Sequence, residues 1–242
     1  MIRVFTFALI SLSFLHSEPT STAKPSTTVP VTQDRDKAIY DWQKRHQEIL
    51  ELGKKGPVDV VMLGDSILHY WAGEPKAPIV RGQASWDELF HGKTVANLGC
   101  GWDRVENVLW RVNEGELTAL QPKTVVLLIG TNNLEFNTDK EIRQGIQAVC
   151  QAIHKVVPQC HVHVIGLLPR TLPEKLVSRP NEVNAQLHHH LSGKDNVHFH
   201  DLSEVFLDGE GNFHAKLFSD GLHPNEEGYA HFAKALRQVI AR

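Results

Sequence analysis

The sequence predicts an α/β protein: a parallel, five-stranded sheet held between two layers of helices. Three observations predict it. Five short runs rich in β-branched and apolar residues lie at 58–63, 94–98, 124–129, 161–166 and 197–200, the length expected of strands. The run 124–129 (Thr-Val-Val-Leu-Leu-Ile) is almost continuously apolar, as a strand covered on both faces must be. Between the runs lie stretches with helical period, at 102–116, 138–157 and 180–191, and a last one closes the chain after His223. Strict alternation of strand and helix implies crossover connections, hence parallel strands and three layers.

Composition sets the outer limits. The chain has 242 residues, 41% hydrophobic and 22% charged, which suits one globular domain with a tail. The net charge of -3 and the absence of a basic cluster interleaved with aromatics exclude a nucleic-acid footprint. Three cysteines, Cys100, Cys150 and Cys160, cannot all pair within one chain, and no Cys-x-x-Cys motif offers a metal or redox site. Cys150 and Cys160 suit either a bridge from a helix to the next strand or two small buried side chains. No cofactor and no metal are expected.

In chain order, residues 1–23 read as a signal peptide: Arg3 precedes an uncharged apolar run from Val4 to Leu15, too short to span a membrane. Export to the periplasm or the outside of the cell follows from that reading. Residues 24–34, rich in Ser, Thr and Pro, read as a disordered linker, and 35–242 as the folded domain. An amphipathic helix carrying Ala38, Tyr40, Trp42, Ile49 and Leu50 ends at Gly53 or Gly56. The strand 58–63 then stops at Gly64-Asp65-Ser66. A serine there sits at the carboxyl end of a central strand, where open α/β sheets bind ligands. It suits a nucleophile, and it also suits an ordinary helix cap, which is common. The loop 69–79 beside it holds Trp71, a candidate for substrate binding that fits the core as well. A short helix over 85–90 is expected to be capped by Ser85.

The second strand runs into Gly99-Cys100-Gly101, where glycines allow close backbone approach. The third runs into Gly130-Thr131-Asn132-Asn133. An asparagine amide at this place is a donor that can point into a site or close an Asx-turn; Asn132 is the candidate oxyanion donor and Asn133 a candidate substrate contact. The tract His188 to His190 spreads round its helix and reads as a solvated face. His198 and His200 alternate with apolar residues and share a face. Near the end, Asp220 stands three residues before His223, and Pro224 opens the last helix. A carboxylate this close to an imidazole can hold its tautomer and orientation.

The loops that follow the strands share one edge of a parallel sheet, so Ser66, Gly99, Asn132 and the Asp220–His223 loop can converge. That set contains what acyl transfer needs: Ser66 as nucleophile, His223 as base, Asp220 as its orienter, and an oxyanion hole from the Ser66 and Gly99 N–H groups with the Asn132 amide. Asp65 adjoins the serine and is better suited to fixing the turn than to orienting the base.

These blocks, Gly-Asp-Ser at 64–66, Gly99, Gly-Thr-Asn at 130–132 and Asp220-x-x-His223, resemble those of the SGNH (GDSL) hydrolase superfamily. The stretches NLGCGWDRVENVLWRVNEGEL, Gly-Thr-Asn-Asn and Gly-Leu-Leu-Pro-Arg resemble the platelet-activating factor acetylhydrolase alpha-subunit family. Ile67 stands where the superfamily pattern has Leu, and Asn133 where Asp is common. The resemblance implies a flavodoxin-like sheet of order 2-1-3-4-5 and a serine esterase of short, often acetyl, esters. It also implies a small-molecule, phospholipid-type or glycan ester substrate, and it allows a homodimer. The alternatives on the same fold are a non-catalytic binding module and an O-acyltransferase.

Overall fold

The computed structural model describes residues 26–240; the expected signal peptide at 1–23 lies outside the described residues. Five parallel strands form one sheet in the order β2-β1-β3-β4-β5: β1 (Val60–Gly64), β2 (Val95–Gly99), β3 (Thr124–Leu128), β4 (His161–Ile165) and β5 (Val197–His200). Register is in step across the centre, with Val61 opposite both Ala96 and Val125. The flavodoxin-like order expected from the resemblance is therefore the observed one.

Side-chain alternation along the strands divides the interior in two. Val61, Leu63, Val125, Leu127, Val162 and Val164 face one core. That core is closed by α1 (Trp42–Gly53), α4 (Val105–Asn113), α5 (Asp139–Val156) and α6 (Arg179–Leu191). Val60, Met62, Val126 and Leu128 face the other, against α2 (Ser66–His69), α3 (Gln83–Leu89) and α7 (Glu226–Ile240). The chain moves outward from β1 to β2 and then back across to β3. The carboxyl ends of β1 and β3 are thus the switch point of the sheet, where the flanking loops part and leave a crevice.

Local chemistry sets the helix ends. The Asp41 carboxylate accepts from Lys44 N–H and starts α1 four residues later than Ala38. Thr138 and Glu141 form a reciprocal capping box on α5. The α4 helix is shorter than the predicted 102–116, because residues 100–104 are spent on a turn. Ser85 is not a cap: α3 begins after Gly82, and Ser85 Oγ donates back to the Gly82 carbonyl (3.0 Å) while accepting from Trp71 Nε1 (3.0 Å).

The stretch expected to be a linker up to residue 34 is, from residue 26, packed against the domain. Thr27 is buried and donates Oγ1 to the Glu141 carbonyl at 2.7 Å. It occupies the notch left by Gly145 of α5, where a Cβ would come within 2.6 Å of Thr27. Gln33 is also buried and donates to Gly101 O and Asp103 Oδ1. Polar composition signals a linker only where the polar groups face water, and here Thr27 and Gln33 are buried and bonded to protein.

All three cysteines are buried free thiols, so the Cys150–Cys160 bridge does not form. His188, His189 and His190 are exposed. His198 and His200 share a face with His161 and His163 of the neighbouring strand, and His163 Nδ1 lies 3.0 Å from His200 Nε2. Among the described residues no group of three or more ligands could hold a metal.

Candidate active site

Two glycines let the site close. At Gly64 a Cβ would stand 2.0 Å from the Leu128 carbonyl, and at Gly99 it would stand 2.2 Å from His69 N. With both absent, β1, β2 and β3 end together and the chain turns at once into α2. Asp65 caps that turn, its Oδ1 accepting from Ile67 N–H at 3.0 Å, and Ser66 becomes the first residue of the helix, its side chain largely buried.

Ser66 Oγ lies 2.8 Å from His223 Nε2, and His223 Nδ1 lies 2.8 Å from Asp220 Oδ2. The other carboxylate oxygen, Asp220 Oδ1, accepts from the backbone N–H of His223 and of Leu222. An ionised carboxylate can only accept, so Nδ1 carries the proton and the Nε2 lone pair faces the serine hydroxyl. Burial pushes the His223 pKa below its ordinary value; the Asp220 partnership offsets this in part, and the Arg81 and Arg170 charges add to the lowering. Burial alone would raise Asp220, but the hydrogen bonds from His223 outweigh it and hold the carboxyl below its usual range. Asp220 is therefore ionised and His223 neutral at neutral pH, the pair of states that proton transfer from a serine needs. Asp65 takes no part in this relay. Its Oδ2 has no hydrogen-bond partner among the described residues, and burial raises its pKa to about 7.

The donors around Ser66 can be found by elimination. The Ser66 N–H has no acceptor among the described residues. The Gly99 N–H, expected to be a donor to substrate, is instead taken by the Asn97 side chain (2.8 Å) within its own strand. Beyond it, Cys100 N–H donates to Gly64 O, Gly101 N–H to His69 Nδ1, and Asp103 N–H to Cys100 O. Among the described residues, the one backbone N–H of the 99–103 turn left without an acceptor is that of Trp102. Its φ of 61° lies in the left-handed region, uncommon for a bulky residue. Asn132 sits against the same turn: its Nδ2 donates to Asp103 O at 2.8 Å, which uses one of two amide hydrogens and leaves the other.

The whole turn is braced from beneath by a buried ionic network. Arg111 Nε donates to Asp103 Oδ2 (2.8 Å), its Nη1 to Glu116 Oε2 (2.6 Å) and its Nη2 to the Gly64 carbonyl (3.2 Å). Trp42 Nε1 and Gln33 hold the other Asp103 oxygen, and His46 Nδ1 pairs with Glu116 at 2.8 Å. One guanidinium thus ties the end of β1, just before the serine, to the turn that carries Trp102.

A match to the GDSL-like lipase/acylhydrolase family covers residues 62–231. The chain belongs to that family. Family membership makes ester hydrolysis the chemistry to expect of the site, and the matched span includes Ser66, Asn132, Asp220 and His223. The relatives include rat platelet-activating factor acetylhydrolase IB subunit alpha1, 32% identical over 202 residues, 83% of each chain. The human alpha2 subunit is 34% identical over 201 residues, 82% of this chain and 83% of its own. Among solved structures, a GDSL-like lipase from Bacteroides thetaiotaomicron superposes with a TM-score of 0.66 over 81% of this chain and 97% of its own, at 18% identity, which speaks to the shared GDSL fold alone.

Two expected substrate contacts of this GDSL-family chain are not at a surface. Trp71 is fully buried, stacked on Tyr229 (5.3 Å between centroids) and against Phe232 and Trp86. Its large ring fills the gap between α2 and α7. Asn133 is also fully buried: its Oδ1 accepts from Val105 N–H, and its Nδ2 donates to Glu106 and Asn137. It joins α4 to the loop after β3. Trp102 was not foreseen, because a tryptophan gives no sign in sequence of a left-handed backbone.

Proposed function

We propose that the protein is an exported serine esterase that cleaves short-chain, chiefly acetyl, esters through an acyl-enzyme. The Ser66–His223–Asp220 relay at the switch point of the sheet, with both links at 2.8 Å, carries this reading. His223 Nε2 takes the hydroxyl proton as Ser66 Oγ attacks the ester carbonyl. The tetrahedral oxyanion is received by the N–H groups of Ser66 and Trp102 and the Asn132 amide. Collapse breaks the bond to the alcohol oxygen, which leaves with the proton held by His223. Water, deprotonated by the same imidazole, then cleaves the acyl-serine. Asp220 stabilises the imidazolium in both halves.

The acetyl preference draws on the relatives named as acetylhydrolases. Export rests on the sequence of residues 1–23, and with it come acetylated carbohydrate or phospholipid-type esters outside the cytoplasm. Labelling with a fluorophosphonate tests the mechanism: one adduct, mapped to Ser66 and absent from Ser66→Ala and His223→Ala, is expected. Folded wild-type protein that takes no label would remove the serine mechanism and leave a binding module on the same fold.

A further inference from the structure

The segment between α2 and α3 carries Arg81, and its backbone is firmly placed. Arg81 N–H donates to the carbonyls of Tyr70 (2.9 Å) and Trp71 (3.3 Å), and Gly82 N–H donates to Trp71 O (3.1 Å). A Cβ at Gly82 would come within 2.7 Å of Trp71 and of Tyr229, so the chain here lies directly on the core. The guanidinium carbon stands 5.3 Å from the centroid of the Tyr70 ring, and that ring stands 5.4 Å from the ring of His223. One aromatic ring therefore separates the cation from the base that faces Ser66.

This cation has no anionic partner among the described residues. Its side chain makes no hydrogen bond and no ion pair with them, and Nη1 is buried without an acceptor. The acids beside Tyr70 and His223 are engaged elsewhere: Asp36 accepts from the Tyr70 hydroxyl (3.3 Å), and Asp220 holds His223. Arg170, the second cation acting on His223, donates to the Leu172 carbonyl and to Thr131. Leaving a buried charged donor unpaired is unfavourable. A positive charge beside His223 is also unfavourable in its own right, because it opposes the imidazolium that forms when Ser66 is deprotonated. Both penalties disappear once a negative group settles against the guanidinium.

We propose that Arg81 is an anion-binding residue of the substrate site, taking a carboxylate or phosphate carried on the alcohol part of the ester. The inference rests on the esterase reading for one point only: an acetyl group has no place for a charge, so the anion belongs to the leaving alcohol. Arginine suits either anion, since its planar fork matches both.

Three aryl acetates test it: 4-acetoxybenzamide, 4-acetoxybenzoate and 4-acetoxyphenyl phosphate, each with wild type, Arg81→Gln and Arg81→Lys. Each variant is compared with wild type on the same ester, so leaving-group reactivity cancels. Arg81→Gln is expected to raise KM for an anionic ester about ten- to a hundred-fold more than for the neutral one, the range of a hydrogen-bonded charge, with most of the effect outside kcat. Arg81→Lys should recover part of the loss. A larger effect on the phosphate than on the carboxylate, or the reverse, names the anion. Equal losses on all three esters would make Arg81 a packing residue and overturn the proposal, as would no loss at all. A readout that needs no variant is competition: phenyl phosphate or benzoate should inhibit wild-type hydrolysis of the neutral ester more strongly than benzamide, and equal inhibition counts against it. Wild type that cleaves none of the esters would defeat the esterase reading instead. Arg81 is then judged by calorimetric binding of phenyl phosphate and benzoate, which Arg81→Gln must weaken for the proposal to stand.

Discussion

His223 experiences opposing fields. Burial and the charges of Arg81 and Arg170 resist its protonation, while Asp220 favours it, and the balance lies below the ordinary histidine value. As the proposed base, His223 acts only when neutral, so kcat/KM is expected to rise with pH as it loses its proton. The acidic limb of the profile should therefore have its midpoint below about 6.5, the reference value for histidine. A midpoint above that value would mean that Asp220 outweighs burial and both arginines. Much of this site was legible at the residue scale. Gly-Asp-Ser after an apolar run, and Asp220 three residues before His223, are local patterns whose chemistry follows from spacing. What was not legible depended on backbone bonds: Gly99 looked like a donor, but Asn97, two residues earlier in the same strand, takes its N–H. Trp71 and Asn133 stand beside the site in sequence, just past the ends of α2 and β3, and only their burial separates them from substrate contacts.

At the scale of elements, α2 is a single turn whose start is fixed by a carboxylate out of contact with water. Asp65 has a pKa of about 7 in the fold, against about 3.9 in an unfolded chain. Its charged form is thus disfavoured by folding, and stability is lost as pH rises from about 4 through 7. An asparagine in its place would keep the oxygen that accepts from Ile67 N–H and carry no charge. We expect Asp65→Asn to raise Tm at pH 8 and to do so much less at pH 5, read by thermal unfolding at both values. A variant with a lower Tm at pH 8 would show that the carboxylate is stabilised by something other than the Ile67 bond. The strands and the long helices were readable because each has one period throughout. Their ends were less so: the α3 start passed to Gly82, and the packing of 26–34 depends on a notch at Gly145, more than a hundred residues away.

Across the whole molecule, Arg111 links parts of the chain that are far apart in sequence. It contacts β1 at Gly64, the turn at Asp103 and the segment after α4 at Glu116, all with no exposure to water. Removing Arg111 takes the guanidinium from two buried carboxylates, Asp103 and Glu116, a loss of about 3–5 kcal/mol. Arg111→Leu should accordingly lower the free energy of unfolding by that amount in urea. A loss under about 1 kcal/mol would place the charges in contact with water. The apolar stripe of α4 is visible in sequence and Arg111 is not, because pairing between distant charges has no local signal. The sheet order, by contrast, is what the family resemblance carried by the same four blocks implies.

In the proposed mechanism Ser66 carries an acyl group taken from a short ester. The most direct measurement is hydrolysis of p-nitrophenyl acetate, butyrate and octanoate by the protein, beside Ser66→Ala. Serine-dependent turnover that falls steeply from acetate to octanoate and is abolished in the variant is expected. Turnover that survives in Ser66→Ala, or none on any of the three esters from folded protein, would contradict it.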